Sequence, residues 1–236
     1  MNGPKGAPAA SQGPFPELWL IAGPNGAGKT TLTSSQDIRD VIGLGDDILV
    51  LNPDRLAAEA REAYPELLRH FIESCCPGFF TTWVNWMAVR RVEKLITVSL
   101  EARKSVLVET VLSTGKYLRH VERARQLGYH VSMIFVALPT PALHVRRVKS
   151  RHASGGHDVP QEKIRSRWYR SHDFLALFAL IVDHLFVFSN ADPSGKPILV
   201  ARKRQFTESV EIVSPEALPR VTEVLSAAAS ADEDGG

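Results

Sequence analysis

The sequence predicts an α/β fold with a mainly parallel, five-stranded sheet and helices on both faces. Three observations lead to this prediction. Short apolar runs alternate with amphipathic stretches of helical period along the 236-residue chain. Most of the runs are continuously apolar, as expected for strands that are buried on both faces. A glycine-rich turn also directly follows the first apolar run, at the sheet edge where such folds bind ligands.

Five strands are predicted from the apolar runs. They are LWLIA at 18–22, DILVLN at 47–52, SVLVET at 105–110, HVSMIFVAL at 130–138 and HLFVFSN at 184–190. Beyond the fifth strand, PILVARKR and ESVEIV are expected to form a terminal hairpin. Because parallel strands end at one edge of a sheet, we expect the polar residues that follow these strands to lie close together.

Helices are predicted between the strands from the spacing of apolar residues and from terminal signals. They cover about 54–73 with a break at Pro65, 84–103, 114–126, 141–151 and 161–181, and a short capped helix follows the hairpin. Gly128 is expected to end the third of these helices. Trp83 and Trp86 are expected to pack against the sheet.

One domain is predicted, spanning 18–226, with the arginine-bearing helical lid at about 146–170. Residues 1–17 are rich in Pro, Gly and Ala and lack the apolar stretch of a secretory signal, so we expect a disordered arm. Residues 227–236 are expected to form a disordered, acidic tail. No apolar run approaches the roughly 20 residues that span a bilayer. We therefore expect a cytoplasmic protein without a membrane partner.

Charge is unevenly distributed along the chain. The net charge is only +2, yet residues 116–170 carry 12 Lys and Arg against 3 Asp and Glu. Such a basic segment is typical of proteins that bind nucleic acid, a membrane surface or a phosphorylated small ligand, and composition alone does not choose among these.

The segment LIAGPNGAGKTTL at 20–32 matches the pattern G-x-x-x-x-G-K-[ST] between a predicted strand and a predicted helix,. In such a P-loop, backbone N–H groups and a helix N-terminus surround phosphate oxygens. Lys29 is expected to reach the β and γ phosphates, and the Thr30 hydroxyl to coordinate Mg²⁺. The residues expected to contact the nucleotide are Gly23, Pro24, Asn25, Gly26, Ala27, Gly28, Lys29, Thr30 and Thr31. ATP and Mg²⁺ are therefore the predicted ligands.

The P-loop does not identify the acceptor of the phosphoryl group, so carboxylates near the same sheet edge become candidates. Asp54 follows the second strand and is either a general base or a negative charge that favours the start of its helix. Glu109 closes the third strand and is a substrate ligand, an Mg²⁺ ligand or a surface cap.

Arginines in the basic segment share helix faces. Arg147 and Arg151 are four residues apart on one predicted helix, and Arg167 and Arg170 lie on one face of the next,. Together they could close over a triphosphate and offset the charge that develops during phosphoryl transfer. The alternative is a solvated basic face.

Four segments together resemble the zeta toxin-like family of P-loop proteins, in particular the branch often labelled predicted ABC-type ATPase. They are AGPNGAGKTTL, NPD, ETVLS and RVKSRHASGGHDVPQEKIRSRWYRS, and the resemblance runs from about Leu18 to Asn190. It implies a kinase-like fold, and characterised zeta toxins phosphorylate UDP-N-acetylglucosamine with ATP and have an antitoxin partner. After the last core strand this chain reads FSNADPSG instead of a D-N-S signature.

The resemblance also implies roles for individual residues. Lys29 and Thr30 take the P-loop roles, and Asp54 resembles the catalytic base. Glu109 and Thr110 look like a substrate-contacting pair. The remaining carried-over residues are the lid arginines Arg147, Arg151 and Arg167, and the nucleotide contact Asn190.

The leading hypothesis is an ATP-dependent kinase of a small hydroxyl-bearing substrate such as a nucleotide sugar, with Asp54, Lys29, Arg151 and Arg167 as catalytic residues. A kinase of polynucleotide ends is weaker, because aromatic residues are not interleaved with the basic ones. A nucleotide-dependent binding module with little turnover is the third hypothesis, and it would act through a partner protein.

Overall fold

The computed structural model describes residues 15–33, 48–153, 159–192 and 196–234. Most of the predicted N-terminal arm and the segment SGGHD at 154–158, within the predicted lid, lie outside these residues. Within them, no helix is long and apolar enough to cross a membrane.

The described chain forms one seven-stranded sheet with the strand order β2-β3-β1-β4-β5-β6-β7. The strands are β1 (Glu17–Ala22), β2 (Leu49–Leu51), β3 (Val106–Thr110), β4 (His130–Ala137), β5 (His184–Ser189), β6 (Ile198–Lys203) and β7 (Glu211–Ile212). The first five strands pair in parallel, and β6 and β7 are antiparallel. The predicted parallel sheet is confirmed, and the terminal hairpin extends it from five to seven strands.

Eight α-helices connect or follow these strands in the described residues. They are α1 (Lys29–Thr33), α2 (Pro53–Ala63), α3 (Glu66–Cys75), α4 (Phe79–Glu101), α5 (Leu118–Gln126), α6 (Pro141–Ala153), α7 (Gln161–Ile181) and α8 (Pro219–Asp234). The predicted break at Pro65 separates α2 from α3, because a proline at that position cannot donate a helical hydrogen bond.

Several element boundaries and the packing of two side chains differ from the sequence predictions. The strand β1 begins at Glu17, α4 begins at Phe79, and α8 continues to Asp234 through much of the expected acidic tail. Alanines at 227–229 favour the helix, which explains the longer α8. The expectation that Trp83 and Trp86 pack on the sheet is wrong, since they are 36% and 52% exposed. The first turns of α4 pack against α2 instead.

The side chains of β1 alternate between two apolar clusters, one on each face of the sheet. Leu18 and Leu20 join the larger cluster, which includes residues of α4, α5, α7 and α8. Trp19 and Ile21 join the other, together with Leu32 of α1. Burial of β1 on both faces explains why its sequence is apolar throughout.

The position of β1 between β3 and β4 explains the position of the candidate site. Ala22 at the end of β1 is paired with Thr110 at the end of β3, and Leu51 at the end of β2 is paired with Val108. The segments that follow these strands therefore leave the sheet at the same edge, where ligands bind in open α/β sheets.

Candidate active site

The loop from β1 to α1 needs glycine at two positions because other parts of the chain approach it closely. Gly23 has φ +139°, and a β-carbon there would lie 2.0 Å from the carbonyl oxygen of Val136 on β4. Gly28 has φ +92°, and a β-carbon there would lie 2.2 Å from Nδ2 of Asn190. The loop is thus packed closely against the sheet edge, and only glycine fits at these two positions.

Lys29 is folded back into this loop. Its Nζ donates to the carbonyl oxygens of Gly23 at 2.8 Å and Pro24 at 3.3 Å, and the residue is only 8% exposed. Burial lowers the pKa of Lys29, while the nearby carboxylates of Glu109 and Asp54 act in the opposite direction. The loop therefore holds a desolvated cation beside its backbone N–H groups, as a phosphate site requires.

Thr30, Glu109 and Asn52 form a hydrogen-bonded group next to Lys29. The Thr30 hydroxyl lies 3.0 and 3.2 Å from the two carboxylate oxygens of Glu109. Nδ2 of Asn52 donates to Oε2 of Glu109 at 2.7 Å. The start of α1 and the carboxyl ends of β2 and β3 are thus linked through one carboxylate.

Asp54 lies in the first turn of α2, which Asn52 caps. Oδ1 of Asn52 accepts hydrogen bonds from the backbone N–H groups of Asp54 at 2.8 Å and Arg55 at 3.1 Å. The carboxylate of Asp54 raises the pKa values of Lys29 and Arg167, although burial lowers both pKa values overall. Asp54 therefore lies within electrostatic reach of the cations that face the loop.

Two of the predicted lid arginines carry charges that lower the pKa of Lys29. Nη1 of Arg167 on α7 donates to Oδ1 of Asn25 in the loop at 3.1 Å, and the Arg167 side chain is half-buried. Arg151 on α6 is exposed, and its charge lowers the pKa of Lys29. Arg170 is exposed and adds a further positive charge that acts on Arg167.

Arg147 and Asn190 contact the outer side of the loop. Nη2 of Arg147 donates to the carbonyl oxygen of Asn190 at 2.6 Å. Nδ2 of Asn190 donates to the carbonyl oxygen of Ala27 at 2.9 Å. Arg147 and Asn190, both predicted to contact the nucleotide, thus link the P-loop to α6 and to the end of β5.

A pocket of about 230 Å³ opens beside Lys29 and brings together five of the predicted site residues. Its lining residues are Lys29, Asn52, Pro53, Asp54, Val89, Glu109, Thr110, Val111, Leu112, Ser113, Thr114, Lys116, Tyr117 and Arg167. The predicted phosphate-binding lysine, the candidate base and one predicted lid arginine therefore share a single cavity. Arg147, Arg151 and Asn190 do not line it.

Thr110 has a local structural contact as well as a place in this pocket. Its hydroxyl accepts a hydrogen bond from the backbone N–H of Leu112 at 3.0 Å. Leu112 has φ +57°, an uncommon conformation for a residue with a branched side chain,. The Thr110 hydroxyl therefore stabilises the strained turn that follows β3.

The other predicted nucleotide contacts form the body of the loop. The backbone N–H of Ala27 donates to the carbonyl oxygen of Pro24 at 3.2 Å, and Ala27 is fully buried. Gly26 has φ +79°. Thr31 is exposed on α1.

His144 on α6 is a buried residue of this site that the sequence did not reveal. Its Nδ1 is 2.8 Å from the carbonyl oxygen of Asn25, and the backbone N–H of Leu138 donates to its Nε2 at 3.0 Å. A carbonyl only accepts and an N–H only donates, so the proton is on Nδ1 and the ring is neutral. Burial lowers the pKa of His144 to about 4.

Asn52 and Lys116 are two further residues that sequence reasoning missed. Asn52 had a usable signal, because Asn before Pro at the end of a strand is a favoured helix cap. Lys116 is half-buried in the pocket, and burial lowers its pKa. Nothing in the local pattern around Lys116 distinguishes it from a surface lysine.

The fold and this site define a class of protein. A glycine-rich loop joins the central parallel strand to a helix, and a lysine, a threonine, two carboxylates and arginines from two later helices surround it. This arrangement is that of a P-loop protein with a kinase-like fold. The chain belongs to the zeta toxin family, whose family model matches residues 5–194.

Comparison with known proteins agrees with this assignment. A chain of the AvrRxo1-ORF1:-ORF2 complex with ATP matches with a TM-score of 0.63 and 15% identity, over 88% of this chain and 64% of that chain. The PezAT toxin-antitoxin system of Streptococcus pneumoniae matches with a TM-score of 0.63 and 16% identity, over 92% and 85%. An uncharacterized protein of Haemophilus influenzae is 22% identical over 160 residues, which are 64% of this chain and 97% of that protein. At these identities the solved structures show a common fold.

Proposed function

We propose that this protein is an ATP-dependent phosphotransferase that acts on a hydroxyl group of a small molecule. The observation that carries the proposal is the shared pocket, in which Lys29 of the P-loop and the carboxylate of Asp54 line the same cavity. A hydroxyl held between them would be next to both a γ-phosphoryl group and a proton acceptor.

Asp54 would act as the general base. Its carboxylate would take the proton of the acceptor hydroxyl while a new P–O bond forms and the bond between the γ phosphorus and its bridging oxygen breaks, which releases ADP. Positioned bases contribute on the order of 10² to 10⁴ in rate. The site also holds the acceptor close to the reacting phosphorus, which contributes more than the base does.

The cations around Asp54 would offset the negative charge of the transition state. Lys29 faces the loop, Arg167 is fixed by Asn25, and Arg151 contributes its charge from α6. Fixed cations in a partly buried site act more strongly than in water, and they need no rearrangement during the reaction. These three residues therefore stabilise the phosphoryl group rather than the acceptor.

Thr30 and Glu109 are the residues that would hold Mg²⁺. Their side-chain oxygens converge to 3.0 Å beside Lys29, and hydroxyl and carboxylate oxygens are ligands that Mg²⁺ prefers,. A bound Mg²⁺ neutralises charge on the β and γ phosphates of a nucleotide.

The acceptor we propose is a nucleotide sugar, UDP-N-acetylglucosamine. This identity comes from the zeta toxin-like motifs. The pocket supports it through its mixed lining, because Ser113 and Thr114 offer hydrogen-bonding groups and Val89 and Leu112 offer apolar contact. Sugars bind to sites with both features.

The direct test measures ADP release by the purified protein with ATP and Mg²⁺, with and without UDP-N-acetylglucosamine, and the mass of the sugar nucleotide. We expect a product heavier by one phosphate group. Asp54→Asn should lower the transfer rate on the order of 10² to 10⁴-fold and leave ATP affinity nearly unchanged. The matched control is Asp173→Asn, which removes the charge of an exposed carboxylate paired with Arg220.

Each alternative result has a distinct meaning. Equal loss of ATP binding and transfer in Asp54→Asn would contradict the role of Asp54 as a base. ATP binding without acceptor-dependent ADP release would support a binding module. Phosphate transfer to oligonucleotide ends that weakens steeply with salt would support a polynucleotide kinase.

We also propose that a partner antitoxin can inhibit this protein. Family membership supports this, as does the likeness to PezAT, a chromosomal toxin-antitoxin system. Expression of the wild-type chain alone should then slow cell growth, whereas Asp54→Asn at equal abundance should not. Equal growth of the two strains would contradict a toxic activity.

A further inference from the structure

A continuous chain of hydrogen bonds joins the P-loop to the helix that carries Asp54. It runs from the Thr30 hydroxyl to Glu109, from Glu109 to Nδ2 of Asn52, and from Oδ1 of Asn52 to the N–H of Asp54. We propose that Asn52 is a positioning residue for phosphoryl transfer, which fixes the start of α2, and hence Asp54, relative to Glu109 and Thr30. This inference rests on the proposed function.

The amide group of Asn52 is required for this role because it both donates and accepts. If Asn52 served only as a helix cap, Ser, Thr or Asp would serve nearly as well. None of those side chains can also donate to Glu109 while it caps α2: a serine hydroxyl is too short, and an aspartate has no donor when ionised. The 2.7 Å bond to Glu109 is therefore the feature that a simple cap does not explain.

The start of α2 needs such a link because the strand before it is short. β2 has three residues and lies at the end of the sheet, paired with β3. Leu49, its first residue, is exposed, and only Leu51 is fully buried. The bond from Asn52 to Glu109 ties the end of β2 to the end of β3, which is held between β1 and β2.

Accurate placement of Asp54 matters for the rate more than for the fold. A displacement of about 1 Å at a reacting group costs on the order of 10²-fold in rate. The cap alone makes only a small contribution to stability. Removal of the link to Glu109, with the cap retained, should therefore lower kcat and leave stability almost unchanged.

The test uses two variants that retain a cap oxygen and lose the donor, Asn52→Ser and Asn52→Asp. In Asn52→Asp, two carboxylates would also face each other and repel. We expect kcat to fall about 10- to 100-fold, KM for ATP to change by less than about threefold, and the melting temperature to stay within about 3 °C of wild type. The Asp variant should be the slower of the two.

Asn85→Ser is the matched control. Oδ1 of Asn85 on α4 accepts from Nη1 of Arg61 at 2.9 Å, so this bond holds the other end of α2 and does not involve Glu109. We expect Asn85→Ser to retain wild-type kcat. Wild-type kcat in both Asn52 variants, or an equal loss in Asn85→Ser, would overturn the proposal.

A second measurement does not depend on turnover. Hydrogen exchange of the Asp54 and Arg55 backbone N–H groups should accelerate several-fold in Glu109→Ala, because Asn52 would lose its anchor. Unchanged exchange at these two groups would overturn the positioning role. If the wild-type protein transfers no phosphate, the proposed function fails, and this exchange result alone decides whether Asn52 links Glu109 to α2.

Discussion

The two sides of the pocket are held in different ways. The P-loop wall comprises Gly23–Thr30, reaches the pocket through Lys29 and is mostly buried except at Thr30. Helices α6 and α7 both bond to it: His144 contacts the carbonyl of Asn25, and Arg167 contacts its side chain. The other side, here called the acceptor wall after the proposed acceptor, is more open: the start of α2 lines the pocket, and α4 and α3 pack behind it, with α4 on α2 and α3 on α4. Asp54 is exposed, α3 buries none of its side chains, and Trp86 is half exposed.

We attribute this difference to two requirements, the binding of the phosphoryl donor and the recognition of the acceptor. Every phosphoryl donor presents the same phosphates, so the P-loop wall needs a single rigid geometry. Substitutions there should disturb activity, and they should also disturb the fold where the backbone is closely packed. Acceptors differ in size and shape, and a wall of exposed side chains can change without loss of the core. The comparison therefore predicts large effects on the P-loop wall and small effects on the acceptor wall away from Asn52 and Asp54.

Lys29→Met should have the largest effect. Under the proposed function, loss of the buried ammonium removes a charge that would face the transferred phosphoryl group, and we expect acceptor-dependent ADP release to fall roughly 10³-fold. Methionine has a similar length, so the melting temperature should change little. The exposed Lys104 provides the control, since Lys104→Met should retain full activity. More than a tenth of wild-type activity in Lys29→Met would contradict the assigned role.

Gly28→Ala tests how tightly the P-loop wall is packed. The new β-carbon would displace the Asn190 amide from the Ala27 carbonyl, and φ of +92° is strained for alanine. We expect a loss of about 3 to 4 kcal/mol in the free energy of unfolding. Gly128→Ala is the comparison, because φ is +71° and no atom lies within 4 Å of a β-carbon there. This variant should cost only about 1 kcal/mol. Equal losses in the free energy of unfolding for Gly28→Ala and Gly128→Ala, measured by urea denaturation, would show that the P-loop is not tightly packed.

The P-loop wall was predictable from sequence because its signal is local. A glycine-rich loop, a strand and a helix lie within about 15 consecutive residues, and their geometry does not depend on distant parts of the chain. Asp54 and Glu109 were predictable for a second reason, since parallel strands end at one edge. The order of the strands in the sheet was not part of the prediction.

Residues whose roles depend on tertiary contacts were missed or misplaced. The role of Asn52 requires Glu109, which lies 57 positions further along the chain. A helical pattern showed that α4 has an apolar stripe, but not that its first turns extend beyond the sheet, and this is why Trp83 and Trp86 were placed wrongly. The neutral ring of His144 depends on Asn25 and Leu138, which the local sequence around α6 does not indicate.

Stability should fall in mild acid because of two buried histidines. Burial lowers the pKa of His144 and of His172 from 6.5 to about 4. The unfolded state therefore binds more protons between pH 6.5 and 4, so this stabilisation is complete above pH 6.5 and is lost as the pH falls through that window. Each histidine contributes about 3 kcal/mol.

His172→Phe separates these two contributions. The phenylalanine keeps an aromatic ring between Phe135 and Trp168 and removes one titrating group. Chemical denaturation at several pH values should show a shallower loss of stability below pH 6.5, by about 3 kcal/mol at pH 4. An identical pH dependence in the variant and the wild type would mean that the pKa of His172 is the same in the folded and unfolded states.

The smallest effects are expected on α3 in the acceptor wall. Leu67 and Phe71 are 83% and 65% exposed, so replacement by serine removes almost no buried surface. Leu67→Ser and Phe71→Ser should each change the free energy of unfolding by less than about 0.5 kcal/mol, whereas Phe178→Ala in the core of α7 should cost about 3 to 5 kcal/mol. Phe178 is the control because it is fully buried in the large apolar cluster. A loss above about 1 kcal/mol in either α3 variant would show that α3 is packed against another part of the protein in solution, and the acceptor wall would then be as rigid as the P-loop wall.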